Sequence, residues 1–210
     1  MEEESFFQYG EKAKMGRIFC LMGKSSTGKD TIYKELLAKE KLNLRRIVPY
    51  TTRPIREGEK NGEEYFFTNE EGIRRLEDEN RIIEMRCYDT CFGPWKYLTV
   101  NDEQIDLAKN DYLIIGTPEA YLSMRAFFGK EAVVPLLIEI DDGVRLQRAL
   151  DREKQQQEPK YDEMCRRFLA DVKDFSEEML MQCEIQVRFE NENLTECIES
   201  LVAYIGKMRS

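Results

Sequence analysis

Arg17-Ile-Phe-Cys-Leu-Met-Gly23-Lys24-Ser25-Ser26-Thr27-Gly28-Lys29 is the stretch that decides the fold class of this chain. Its first half is a short apolar run ending in glycine, which suits a strand buried on both faces of a parallel sheet. The second half fits G-x-x-x-x-G-K, and from Lys29 onward Ile32, Leu36 and Leu37 recur with helical spacing. Strand, glycine turn and helix in that order open a β-α-β unit. In this setting the glycines let backbone N–H groups turn inward around phosphate oxygens, and the lysine adds a point charge. Gly23, Ser25, Ser26, Thr27, Gly28, Lys29, Asp30 and Thr31 are therefore candidate contacts for the phosphates of a nucleotide. Asp30 stands where Ser or Thr usually offers a hydroxyl to magnesium, and its carboxylate is a candidate ligand of hydrated Mg²⁺, which takes oxygen donors.

Outward from the loop, apolar runs at residues 112–115 and 132–140 alternate with helical patterns near 118–128 and 141–154. A last strand is expected at 184–189, before a helix over 194–208. The alternation predicts an α/β three-layer sandwich around a mainly parallel sheet. Residues 49–98 break the rhythm with three of the six prolines and turn signals at Glu57-Gly58 and Asn61-Gly62, which reads as an inserted mixed α+β lobe. Gln155-Gln156-Gln157-Glu158-Pro159-Lys160 is too polar to pack and reads as the tip of a helical hairpin. The expected division is a frayed arm at 1–14, core at 15–48, the lobe at 49–98, core at 99–140, a helical lid at 141–170 and core at 171–210.

Composition narrows the chemistry. The 210 residues carry 32 Lys and Arg against 41 Asp and Glu, a formal charge of -9, which argues against a chain built to bind nucleic acid. There is no histidine, so His-dependent triads, His general bases and the usual His-containing zinc sites are excluded. The six cysteines form no C-x-x-C pair and are expected to be reduced thiols. An acidic MEEES start and the lack of an apolar run near ~18 residues lead to the expectation of a soluble cytoplasmic protein without a membrane segment.

Thr51-Thr52-Arg53-Pro54-Ile55-Arg56-Glu57-Gly58-Glu59-Lys60-Asn61-Gly62-Glu63-Glu64-Tyr65-Phe66-Phe67 resembles the acceptor signature of guanylate kinases, T-T-R-x-x-R-x-G-E-x-x-G-x-x-Y-x-F, at every fixed position. The resemblance implies that Arg53, Arg56 and Tyr65 grip the phosphate of GMP. Five basic and no acidic residues lie between Lys41 and Arg56, a local cationic patch in an acidic chain, and planar guanidinium groups suit phosphate. Glu84 falls where the family places the carboxylate that accepts from guanine N1 and the 2-amino group. Other positions depart from the family. Pro49 replaces a Ser near guanine O6, Phe92 a Tyr, and Pro94 a Ser or Thr, while Ile114-Ile115-Gly116-Thr117-Pro118-Glu119 replaces D-x-D-x-Q-G.

Arg145, Arg148 and Arg152 share one helical face by spacing, and Arg166 and Arg167 follow the hairpin tip. Arg148, Arg152 and Arg167 match the family's lid pattern, and with Lys29 they are the expected catalytic cations. Asn191 resembles the adenine-contacting Asn. The resemblance thus implies MgATP and GMP as small-molecule partners, in a monomer or homodimer. A ribose 1,5-bisphosphate phosphokinase and a non-catalytic guanylate-kinase-like binding module remain open as alternatives.

Overall fold

A computed structural model describes residues 15–56, 58–90 and 93–209. The expectations for the arm at 1–14 and for Phe92 lie outside the described residues. Along the chain run β1 (Ile18–Met22), α1 (Lys29–Ala38), a 3₁₀ turn (Glu40–Leu42), β2 (Leu44–Arg46), β3 (Tyr50–Thr51), β4 (Phe66–Phe67) and α2 (Glu70–Asp78). Next come β5 (Ile82–Thr90), β6 (Gly93–Val100), β7 (Asp111–Ile115), α3 (Pro118–Phe128), β8 (Val133–Glu139) and α4 (Asp142–Lys154). The chain closes with α5 (Tyr161–Asp174), α6 (Glu177–Gln182), β9 (Arg188–Glu190) and α7 (Leu194–Arg209).

Five strands form one sheet in the order β2-β7-β1-β8-β9, and every neighbouring pair is parallel. β1 is central, with all five residues buried. Its side chains alternate between two cores, as the period of two in a strand requires. Ile18, Cys20 and Met22 pack with Tyr121 and Met124 of α3, and with Phe175, Leu180 and Ile185. Phe19 and Leu21 pack with Ile32 and Leu36 of α1 and with Ile198, Leu201 and Ile205 of α7. Complete burial of each such Leu, Ile or Phe contributes about 1.5–3 kcal/mol, so a strand apolar on both sides is stable only with helices on both faces.

The second sheet, β4-β3-β6-β5, is built from residues 50–100 and has its own small core of Ile73, Leu98 and Val100. β5 and β6 form an antiparallel pair from Ile82↔Val100 to Thr90↔Gly93. α2 begins at Asn69, whose side chain accepts from the Gly72 amide, satisfying one of the free N–H groups of a first turn. Thr117 does the same for α3, where Pro118 fills the first helical position, and Asp141 for α4.

The strand expected at 184–189 is shorter and later than its apolar pattern suggests. Glu184 takes a left-handed φ of 55°, Ile185 turns into the core beside α6, and pairing with β8 begins only at Arg188. Among the described residues no helix is long and apolar enough to cross a membrane.

Candidate active site

The loop joining β1 to α1 is shaped largely by its own atoms. The buried Thr27 hydroxyl donates to the Lys24 carbonyl at 2.9 Å. Ser26 and Gly28 both adopt left-handed backbone angles, with φ 65° and 89°. A Cβ at Gly28 would also run into the side-chain amide of Asn191, so glycine is needed there twice over. Asn191, just past β9, is 3% exposed and its Nδ2 donates to the Thr27 carbonyl at 2.7 Å. Its Oδ1 has no hydrogen-bond partner. The residue expected to meet adenine thus stands directly against the loop and braces it.

Lys29 opens α1 at the edge of a cavity of about 410 Å³ lined by Ser26, Gly28, Lys29, Asp30, Thr31, Arg148, Arg152 and Asn191. Eight residues nominated from the sequence, drawn from the loop, α1, the lid helix α4 and the end of β9, therefore meet at one place. Gly23, Lys24, Ser25 and Thr27 form the rest of the loop. Burial pushes the Lys29 pKa below its ordinary value; Asp30 and Asp171 pull it back, while Arg167 and Arg152 press it down further. Arg167 is thereby within the electrostatic reach of Lys29. Asp30 and Thr31 are exposed on the first turn of α1, where an acidic side chain is favourable.

Arg145 is a correction to the shared arginine face. Arg148 and Arg152 face the cavity, but Arg145 is turned inward with 1% of its surface exposed. Its Nε donates to Asp142 Oδ1 at 2.9 Å, and its Nη1 donates to the Ser25 carbonyl at 3.0 Å and to Asp171 Oδ2 at 3.3 Å. The guanidinium lies 4.4 Å from the centre of the Phe168 ring. Asp171 Oδ2 also accepts from the Ser25 amide at 2.8 Å. Sequence reasoning missed this tie between the loop and α4 and α5, because nothing near Asp171 in the chain marks it. Arg166 pairs outward with Glu163 at 2.8 Å.

The second cluster sits on the smaller sheet. Arg53 is 4% exposed, with Nη2 donating to Glu59 Oε1 at 2.7 Å and Nη1 to the Pro54 carbonyl at 2.9 Å. Its guanidinium carbon stands 5.3 Å from the Tyr65 ring and 5.7 Å from the Phe67 ring. Burial works against its charge, but the Glu59 hydrogen bond and its neighbours outweigh that and hold its pKa above the ordinary value. Glu59 Oε2 accepts from the Arg56 amide at 2.8 Å, so one carboxylate sets both arginine positions. Arg56 itself is exposed. Tyr65 continues into Tyr97 and Tyr88 by edge-on ring contacts, each at 5.7 Å.

Glu84 is 6% exposed on β5. Its Oε2 accepts from Arg86 Nε at 2.9 Å, and its Oε1 accepts from Arg86 Nη2 at 3.2 Å and from the Thr99 hydroxyl at 2.7 Å. At Gly116, past the end of β7, a Cβ would lie 2.8 Å from Cys20 Sγ. The packing therefore leaves little room for an acidic side chain there, which is the physical side of the departure seen in the sequence. Pro118 is spent on starting α3. A separate hollow of about 770 Å³ runs past Arg53, Arg75 and Arg81 on the α2 side of the lobe, and no loop residue lines it.

Comparison with known proteins agrees with this arrangement. The family model for guanylate kinase matches residues 15–102, which hold the loop, the acceptor signature and Glu84. Guanylate kinases from Caldanaerobacter subterraneus subsp. tengcongensis, Malacoplasma penetrans and Anaplasma phagocytophilum are 38%, 31% and 33% identical to this chain over 93, 143 and 126 residues. Those matches cover 43%, 68% and 59% of this chain and 45%, 61% and 58% of the relatives, so the chain spans about half the length of the curated relatives it matches. The crystal structure of the guanylate kinase from Anaplasma phagocytophilum superposes with a TM-score of 0.61 at 22% identity, covering 93% of this chain and 87% of that one. This chain is similar to the guanylate kinases through residues 15–102, and it shares the fold of one of them over nearly its whole length.

Proposed function

We propose that this chain is a guanylate kinase, transferring the γ-phosphoryl group of ATP to GMP to give ADP and GDP. One observation carries the reading: two separate groups of cationic side chains stand on two sheets. Lys29, Arg148 and Arg152 line one cavity at the phosphate loop, and a buried Arg53 held by Glu59 faces Tyr65 on the other. A donor phosphate and an acceptor phosphate each have a cationic seat. The reaction needs no general base, because the attacking phosphate oxygen is already largely ionised at neutral pH, its second pKa being about 6. A chain without histidine suits such chemistry.

In this reading the loop amides and Lys29 hold the donor, and Arg53, Arg56 and Tyr65 hold the acceptor. Arg148, Arg152 and Arg167 bring positive charge to the transferring group while α4 and α5 exclude water. Among the described residues no group of three or more acidic, Cys or His side chains could cage a metal. Mg²⁺ keeps several waters and binds through one or two carboxylates plus substrate phosphates, and the exposed Asp30 carboxylate, lining the cavity with Lys29, is an oxygen donor of that kind. Asp30 is the residue that would hold it or its waters. When bound, the ion supplies neutralisation of the phosphate charge.

The test is ADP release measured in a coupled assay with GMP, dGMP, AMP, UMP, CMP and ribose 1,5-bisphosphate as acceptors. GMP is expected to give the highest kcat/KM. Lys29→Ala is expected to lower kcat about 100-fold or more, the scale of losing one electrostatic stabiliser. Near-normal turnover in that variant excludes the assignment.

A further inference from the structure

Arg86 changes what the far end of the acceptor site can read. Glu84, Arg86 and Tyr88 alternate along β5, and Thr99 and Tyr97 stand opposite Glu84 and Arg86 in register on β6. All five share one face of the sheet, the face on which Tyr65 meets Tyr97 and Arg53 meets Tyr65. Thr51 on β3, Tyr97 on β6 and Arg86 on β5 stand in one row two strand spacings, about 10 Å, wide, and Arg53 follows two residues past Thr51.

The hydrogen bonds on this face can be counted. A carboxylate offers about four lone-pair positions, and Glu84 has three occupied, by Arg86 Nε, Arg86 Nη2 and the Thr99 hydroxyl. One acceptor position remains. A guanidinium has about five N–H donors, of which Arg86 gives two to Glu84, with the Tyr88 hydroxyl also within its electrostatic reach. Donors remain in excess over acceptors. The pair is locked rather than waiting to open, since the Arg86 side chain is 16% exposed and the Glu84 side chain 3%. Separating them would leave a buried carboxylate without its cation.

Resting on the guanylate kinase reading, we infer that Arg86 is the specificity-determining residue of the acceptor site: its uncommitted N–H groups donate to O6 and N7 of a 6-oxopurine, and Glu84 keeps one acceptor position, for N1–H alone. The edge of a 6-oxopurine presents two acceptors that match a guanidinium fork. Adenine presents an amino donor at position 6 and would set N–H against N–H. With a single position left on Glu84, the 2-amino group of guanine goes unread. The site therefore separates 6-oxo from 6-amino purines and does not separate guanine from hypoxanthine.

The experiment measures kcat/KM for GMP, IMP and AMP on the full chain, with equilibrium binding of the same three nucleotides, for the parent and for Arg86→Met and Arg86→Lys. In the parent, GMP and IMP are expected within about threefold of each other and AMP at least about 100-fold lower, since unpaired buried polar groups reject a mismatched substrate by up to ~10⁴–10⁵. In Arg86→Met the 6-oxo over 6-amino preference is expected to fall at least about tenfold, through KM for the acceptor, with KM for ATP unchanged. Arg86→Lys is expected to keep part of the preference, because it restores the charge but not the fork. A parent enzyme that prefers GMP to IMP by more than about 30-fold overturns the inference, as does an Arg86→Met variant with the preference intact. If Arg86→Met does not fold, the parent's GMP to IMP ratio and Arg86→Lys decide. If GMP and IMP bind and AMP does not, yet no ADP forms, the kinase reading falls and the base reading stands.

Discussion

Arg145 shows how little a residue's type says about its task. Its spacing from Arg148 and Arg152 is that of a cationic lid face, yet it is buried against Phe168 and holds Asp142, Asp171 and the Ser25 carbonyl together. Removing a buried ion-pair partner costs more than the pair itself contributes, because a charge is left behind in low dielectric. Arg145→Met is therefore expected to destabilise the fold by about 3–5 kcal/mol in urea unfolding. Asp142→Asn, at a side chain half exposed to solvent, is expected to cost less than about 1 kcal/mol. Equal effects of the two substitutions would show that the Asp171 contact does not matter. The loop and acceptor positions were legible in the sequence because each depends on local backbone or on a motif of fixed spacing. Glu59 was visible only as part of that motif, and Arg86 and Asp171 were not: Arg86 meets Glu84 only because alternate residues of β5 share a face, and the Ser25 partner of Asp171 lies 146 residues away.

At the level of elements, β1, α1, α3 and α7 were readable because each has a full apolar period and a clear start or stop, and α4 because Asp141 caps a run of good helix formers. β3 and β4 are two residues long, too short to carry a period, and they exist through pairing with β6 and with each other. β9 was misjudged in extent because Ile185 and Val187 look like strand residues, while tertiary packing uses Ile185 in the core beside α6. Helices α4 and α5 differ from the rest in how they are held. α5 has no fully buried residue and exposes Leu169 and Val172, and α4 buries only Arg145 and Ala149. Helices with so little apolar anchorage open at low free-energy cost. Amide hydrogen exchange is expected to be fastest over residues 155–165 and through α5, and slowest in β1, β7 and β8. Protection of α5 comparable to that of β1 would contradict this description of the lid.

For the whole molecule, charge is distributed so that an acidic chain still presents cations where phosphates would sit, and that distribution sets its response to pH. Arg53 lowers the pKa of Glu59, Arg166 that of Glu163 and Arg188 that of Glu177. Each binds a proton more weakly folded than unfolded, so its contribution is present above the ordinary carboxylate range and is lost as pH falls through the lower folded values. Asp174, raised by burial and then by Asp171, works in the opposite sense and only partly offsets this. At the alkaline end burial pushes Cys183 and Cys197 up to about 11, whereas an unfolded thiol ionises near ~8.5. Their contribution is present below that value and lost as pH climbs from it towards 11. Urea midpoints are expected to be level between about pH 5 and 8 and to fall on both sides. A midpoint still rising at pH 10 would contradict the burial of these thiols.

The hydrogen bond from the Ser25 amide to Asp171 has a consequence for how the molecule communicates with itself. A carboxylate from α5 holds a donor that belongs to the phosphate loop. Any anion that takes that amide must first displace the side chain, and so must loosen α5. Loop occupancy and helix position are then reciprocal variables: whatever free energy an anion spends on freeing Asp171, an already displaced α5 returns to the anion as tighter binding.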